Sequence, residues 1–339
     1  MKHKHRTTTI ALISLLLMVI IAAGCGAGKE AAPSAASGTP QQEASTQAAA
    51  QATATPATAA PAPRVVSTLM GDVEVPADPS RIVLVYHDDI DHLMALGVKP
   101  VAVPTYERPG SIDGYLPYLA EELKGVEKIG NAPNLEAILA ANPDLIIASY
   151  AYKDMMDQLK KIAPTLVFEW KTDWRETHLA IGKALGRESK AQANIDEYNA
   201  LVKDAKQKLG TAVGNKTVAF IRVLPKEIRI HGLKDQVPGF LLYEQLGLTP
   251  SEEVPVEEWA KPISNEIFAQ LKADHILLHI NDNPDAAAQA KELLENEAYK
   301  NVPAVKNGQV HLVPSHPWER GGPLAFKEGI QQVLEAMVQ

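Results

Sequence analysis

Of its 339 residues only one, Cys25, is cysteine, so no disulfide can form within the chain. Long lysine or arginine runs are absent and the formal net charge is −8, which argues against nucleic acid as a partner. Beyond the N-terminal stretch no apolar run approaches membrane-spanning length, so the body is expected to be soluble. Enzyme signatures are missing too: there is no G-x-S-x-G, no H-E-x-x-H and no phosphate-binding glycine loop. A Ser-His-Asp constellation assembled from distant residues stays open, because its members need not be adjacent.

What is present begins with KHKHR at residues 2–6, followed by 14 mainly apolar residues over 10–23. That is too short to span a bilayer comfortably and suits a signal-peptide core. Ala22, Ala23 and Gly24 then precede Cys25. The pattern resembles a bacterial lipobox with Ala22 in place of the usual leucine; an ordinary secretory signal or an uncleaved anchor is the alternative. On the lipobox reading residues 1–24 are removed and Cys25 carries the lipid anchor, whose two acyl chains suffice for stable membrane residence. Losing Lys2, Lys4 and Arg6 then moves the formal charge from −8 to −11. Residues 26–63 are mostly Ala, Pro, Ser, Thr and Gln and bury too little to order themselves. As a coil this tether would span roughly 35 Å.

From residue 64 onward short apolar runs alternate with helical patterns: RIVLVY (81–86), VAV (101–103), DLIIAS (144–149), TLVF (165–168), then TVAFIRV (217–223), HILLHI (275–280) and QVHLV (309–313). Wholly apolar strands between helices predict buried, mostly parallel sheets. The halves also echo each other. Glu136 lies eight residues before Asp144, and Glu266 lies eight before Asp274. Between the halves residues 188–209 lack Pro and Gly and keep a helical rhythm, predicting a rigid connector. The expected organisation is a lipidated Cys25 and tether over 25–63, an N-terminal α/β lobe over 64–172, a connecting helical region over 173–210 and a C-terminal α/β lobe over 211–339.

PSRIVLV, LMALGVKPVAV, IGNAPNLEAILAANPDLIIAS, LKKIAPTLVF, the linking helix, ISNEIFAQLKADHILL and VKNGQVHLV, in this order, resemble the bacterial ABC-transporter substrate-binding proteins of the helical-backbone class, which serve ferric siderophores, haem and cobalamin. The resemblance covers nearly everything from residue 64. It implies a ligand cleft between two Rossmann-like lobes; the helical connector predicts little closure on binding, and a monomer is expected. It also implies that Glu136 and Glu266, one per lobe, dock into arginines of a permease dimer; stabilisation of helix starts is the plainer reading of both.

Loops after strand C-termini would line that cleft. They offer Tyr86, His87, Tyr106, Arg108, Trp170 and Lys171 from the first half, and Arg222, Arg229, His231, Trp318 and Arg320 from the second. Arginine and aromatic side chains together suit an anionic, flat-faced ligand, and a ferric siderophore meets that description. No cofactor is expected; the iron arrives inside the chelator and needs no protein ligand. Haem stays open, with Tyr86, His87 or Tyr106 as axial candidates, as does cobalamin. For each lining residue a duller role exists: Trp318 as core, Arg320 as surface cation. HDDIDH (87–92) suggests a metal site, but its acids also suit a helix start. The expected function is an extracytoplasmic lipoprotein, on a Gram-positive surface, that captures a ferric siderophore for an ABC permease. A direct metal binder and a lipid-anchored hydrolase are the alternatives.

Overall fold

The computed structural model describes residues 62–338 except 109 and 315. The leader, Cys25 and nearly all of the tether lie outside the described residues. No helix among the described residues is long and apolar enough to cross a membrane.

An antiparallel hairpin, β1 (Arg64–Thr68) and β2 (Gly71–Val75), opens the first lobe. Five parallel strands follow: β3 (Ile82–Leu84), β4 (Ala102–Val103), β5 (Glu127–Lys128), β6 (Leu145–Ser149) and β7 (Thr165–Phe168), in the order β5-β4-β3-β6-β7. Their apolar runs are continuous because both faces are covered. Ile82, Leu84, Leu145, Ile147 and Leu166 point into one cluster, while Val83, Ile146, Ala148 and Val167 point into the other. Each fully buried aliphatic side chain contributes roughly 1.5–3 kcal/mol.

The second lobe is a partial copy. Its strands are β8 (Thr217–Leu224), β9 (Glu227–His231), β10 (Thr249–Pro250), β11 (Ala260–Ile263), β12 (His275–Ile280) and β13 (Val310–Val313), in the order β11-β9-β8-β12-β13 with β10 also on β8. Strands β8, β12 and β13 are parallel. Strand β9 instead runs antiparallel to β8, because the two residues Pro225 and Lys226 turn the chain straight back. The echo between halves has a physical basis. Asp144 accepts from the Ser80 and Arg81 amides at the entry to β3, and Asp274 accepts from the Thr217 amide at the start of β8. Each aspartate thus clamps its strand to the central strand of its own lobe.

The linking helix, Glu188–Ala212, has 25 residues and would measure about 37 Å. It buries Ala191, Asn194, Ile195, Tyr198, Ala205 and Leu209 on one face. Just before it, the helix Arg175–Ala184 places Ile181 and Ala184 in the first lobe's core.

A second tie between the lobes comes from the first helix, His87–Ala95. Its Asp91, fully buried, accepts from the Leu324 and Ala325 amides at 2.8 Å and from the Tyr118 hydroxyl at 3.0 Å. Those amides are orphan donors in the first turn of the C-terminal helix, Pro323–Met337, so a first-lobe side chain caps a helix from the far end of the chain. The cap requires Gly322, where an added Cβ would lie 2.5 Å from the Asp91 carboxyl carbon. Burial raises the Asp91 pKa to about 6 despite these donors, so at neutral pH it is an anion on a helix N-terminus.

Replacing Asp91 with Ala would strand two buried amides and a phenol. The expected cost is about 3 kcal/mol or more in urea unfolding. Gly322→Ala should cost comparably, and near-wild-type midpoints for both would contradict the clasp.

Candidate functional site

The loops after the strand ends of both lobes enclose a cleft of about 360 Å³. Its walls carry Tyr86, Arg108 and Trp170 from the first lobe and Arg222, His231, Trp318 and Arg320 from the second. Seven of the eleven candidate lining residues therefore meet there. The remaining four lie behind or beside it. Tyr106 is 2 % exposed and packs edge-on against His87, 5.6 Å between ring centres. The His87 ring bonds the Thr105 carbonyl, and burial lowers its pKa to about 4. Lys171 pairs with Glu176 at 2.7 Å and faces an adjoining hollow. Arg229 pairs with Glu227 and lies over the Trp259 ring, 5.4 Å from its centre.

Four cleft residues escaped the sequence reading as lining groups: Asp88, Gln236, Trp259 and Glu319. Two of them change the electrostatics. Glu319 accepts from Arg108 at 2.9 Å and pairs closely with Arg222, so it joins a first-lobe loop to the central strand of the second lobe. Asp88 pairs with Arg320 at 3.1 Å, both side chains nearly inaccessible. Arg320 is thus no surface cation. Burial pushes the Asp88 carboxyl up and Arg320 pulls it back; with a guanidinium at hydrogen-bonding distance the pair is held ionised.

Trp318 is both wall and core. It is 2 % exposed, packs 4.9 Å from Phe220, and its indole N–H donates to the Gln332 Oε1. Gln332 in turn donates to the His316 carbonyl, so the backbone leading into Glu319 is held from below. On the first-lobe side, Gly110 comes so close to Asp282 that a Cβ would overlap its carboxylate, and its φ of +84° also favours glycine.

Among the described residues, HDDIDH included, no three or more His, Cys, Asp or Glu side chains are grouped so as to hold a metal ion. The motif works as buried polar structure. The Asn194 amide nitrogen donates to the Ala95 carbonyl and meets His178 Nε2 at 3.0 Å, while His178 Nδ1 meets His92 Nδ1 at 3.1 Å. Since the amide NH2 can only donate, His178 Nε2 accepts, its Nδ1 carries the proton, and His92 Nδ1 accepts it. Both rings are therefore neutral, in accord with pKa values lowered by burial to about 3 for His92 and about 4 for His178.

Residues 82–317 match the model of the periplasmic binding protein family. A probable siderophore-binding lipoprotein of Bacillus subtilis strain 168, YfiY, is 33 % identical over 276 residues, spanning 76 % of this chain and 82 % of that one. The chain belongs to the periplasmic binding protein family. Among solved structures, Staphylococcus aureus SirA complexed with staphyloferrin B superposes with a TM-score of 0.67 at 26 % identity, over 80 % of this chain and 98 % of SirA. PiuA of Streptococcus pneumoniae, described as an iron uptake ABC transporter substrate-binding protein, gives a TM-score of 0.67 at 25 % identity, over 82 % and 100 %. The protein is an ABC substrate-binding protein of this class, not an enzyme.

Buried neutral histidines set the expected response to acid. His87, His92, His178, His231 and His279 have folded pKa values lowered to about 3 or 4, chiefly by burial. Below about pH 6.5 the unfolded chain binds protons at these rings and the folded chain does not, so they withdraw stability as pH falls from about 6.5 to 4. Asp89 and Asp91, raised to about 8 and about 6 by burial, act oppositely but are fewer. The urea midpoint should therefore fall between pH 6.5 and 4.5; a rising midpoint would contradict these assignments.

Proposed function

We propose that the protein is an extracytoplasmic lipoprotein, anchored through Cys25, that binds a ferric siderophore and delivers it to an ABC permease for iron uptake. The observation that carries this reading is the cleft, where three arginines face Tyr86, Trp170, Trp259 and Trp318. Guanidinium forks suit chelator oxygens, and the rings suit its flat or greasy body. A volume of about 360 Å³ lies within the range of ordinary small-molecule sites. Iron enters as part of the cargo, inside the chelator.

The relatives' names support the same cargo class, since YfiY is described as siderophore-binding and SirA is crystallised with staphyloferrin B. Haem finds weaker support. Of the three axial candidates Tyr106 and His87 are set behind the wall, and the Tyr86 phenol is pushed up to about 12 by burial, which opposes formation of a phenolate ligand.

Delivery requires a docking face, and Glu136 and Glu266 are suited to it. Both are exposed in the first turn of a short helix, capped by Asn134 and Ser264 respectively. Both helices precede a sheet strand, so their N-terminal turns lie at the cleft end of the lobes. Each carboxylate suits a permease arginine, with the protein acting as a monomer at the surface, Gram-positive in our reading.

Titration of the chain with Cys25→Ser against ferric hydroxamate, catecholate and citrate-type complexes, their iron-free forms, haem and cobalamin tests the cargo. Saturation by a ferric class alone is expected, whereas saturation by haem or cobalamin alone would overturn the siderophore reading. Arg222→Ala should weaken capture at least about tenfold. Ala at both Glu136 and Glu266 should abolish uptake with affinity nearly intact; lost affinity would refute the docking role.

A further inference from the structure

Charges inside the cleft are nearly balanced before any ligand arrives. Arg108, Arg222 and Arg320 supply three positive charges, and Asp88 and Glu319 remove two. His231 adds none at neutral pH, its pKa lowered to about 3 by burial and the neighbouring Arg222. Beyond Trp170 the adjoining hollow carries Asp173, Asp235 and Glu244 against Lys171.

Glu319 occupies the place an anionic ligand oxygen would take, bridging Arg108 and Arg222. Its backbone cannot easily withdraw. Trp318 on one side is bonded to Gln332, and Arg320 on the other is bonded to Asp88 and, through its amide, to the Pro317 carbonyl. Buried donors without a partner nevertheless remain in this wall: Nε of Arg222, Nε of Arg320 and a ring nitrogen of His231. With three cations against two carboxylates the cleft's surplus is a single positive charge, too little to match a trianion.

Resting on the siderophore reading above, we propose that Glu319 is a built-in counter-anion that sets the charge class of the ligand. The cleft takes ferric complexes of low net charge, neutral to about −1, such as trihydroxamates, and disfavours trianionic triscatecholates. Glu319 acts by offsetting part of the charge that Arg108 and Arg222 present to the ligand, so removing its carboxylate leaves two guanidinium groups uncompensated at once.

Tryptophan fluorescence and calorimetry with a neutral ferric trihydroxamate and a trianionic ferric triscatecholate test this directly. The wild-type protein should prefer the trihydroxamate by at least about tenfold. Glu319→Gln should shrink or invert that ratio and make triscatecholate binding more salt-sensitive, and Glu319→Asp should keep the wild-type order. Arg108→Gln, at an exposed side chain, provides an opposite perturbation should Glu319→Gln fail to fold; it should widen the preference. A wild-type preference for the trianion, or a ratio unmoved by Glu319→Gln and Arg108→Gln, overturns the charge rule. If the wild type binds neither complex but saturates with haem or cobalamin, the siderophore reading itself is overturned, and the rule falls with it.

Discussion

One buried carboxylate holds the geometry on which everything else depends. Asp91 sits on the first helix of the first lobe and satisfies two orphan amides at the start of the last helix. Buried without such partners, either side would be costly: an isolated anion is expelled from an apolar interior, and unpaired helix amides lose their hydration. Together they compensate each other, with the helix dipole adding to the match. The Tyr118 hydroxyl completes the coordination, and Gly322 lets the carboxylate approach the backbone. The last helix also packs along the linking helix through Tyr198 and Phe326, whose rings are 6.1 Å apart. The lobes are therefore fastened by a covalent helical connector and by a polar clasp.

Cleft and clasp are neighbours in sequence and in space. Residues 316–322 contain the wall tryptophan, the bridging glutamate, the buried arginine and the two glycines leading to the clasp. Trp170 stands 3.4 Å from where a Cβ on Gly321 would be, so the first lobe's aromatic wall rests on the same segment. Asp88 and Asp91 lie one turn apart on the same helix, one holding Arg320 and the other holding the helix that follows it. A single short helix thus positions a cleft cation and fixes the lobe interface. Mechanical stiffness and ligand electrostatics share residues, which explains why polar groups are concentrated so deeply there.

Much of this architecture is legible in the chain. Continuous apolar runs announce covered parallel strands, the rhythm of residues 195–209 announces a helix, and the matched Glu–Asp spacings announce two related lobes. The rule that sites follow strand ends brought Tyr86, Arg108, Trp170, Arg222, His231, Trp318 and Arg320 to one cleft. What escaped was pairing at a distance. Glu319 meets Arg108 across 211 residues and Asp91 meets Leu324 across 233, and no local periodicity encodes such contacts. For that reason HDDIDH reads in sequence as helix-start acids or metal ligands, when Asp88, Asp89, Asp91 and His92 are all buried and Asp88, Asp91 and His92 are paired with residues far along the chain. The antiparallel course of β9 is not legible either, because direction depends on the tight turn at Pro225 and Lys226.

Stiffness is the property on which the account can most directly fail. Spin labels at Leu139 and Ile267, exposed positions beside Glu136 and Glu266 on opposite lobes, would report the separation across the cleft once Cys25 is replaced by serine. With two fastenings in place, saturation by a ferric complex should move the mean distance by about 2 Å or less and leave the distribution narrow. A shift on the order of 10 Å, of the kind produced by hinged domain closure, would show that the clasp opens and that the lobes are not held as described.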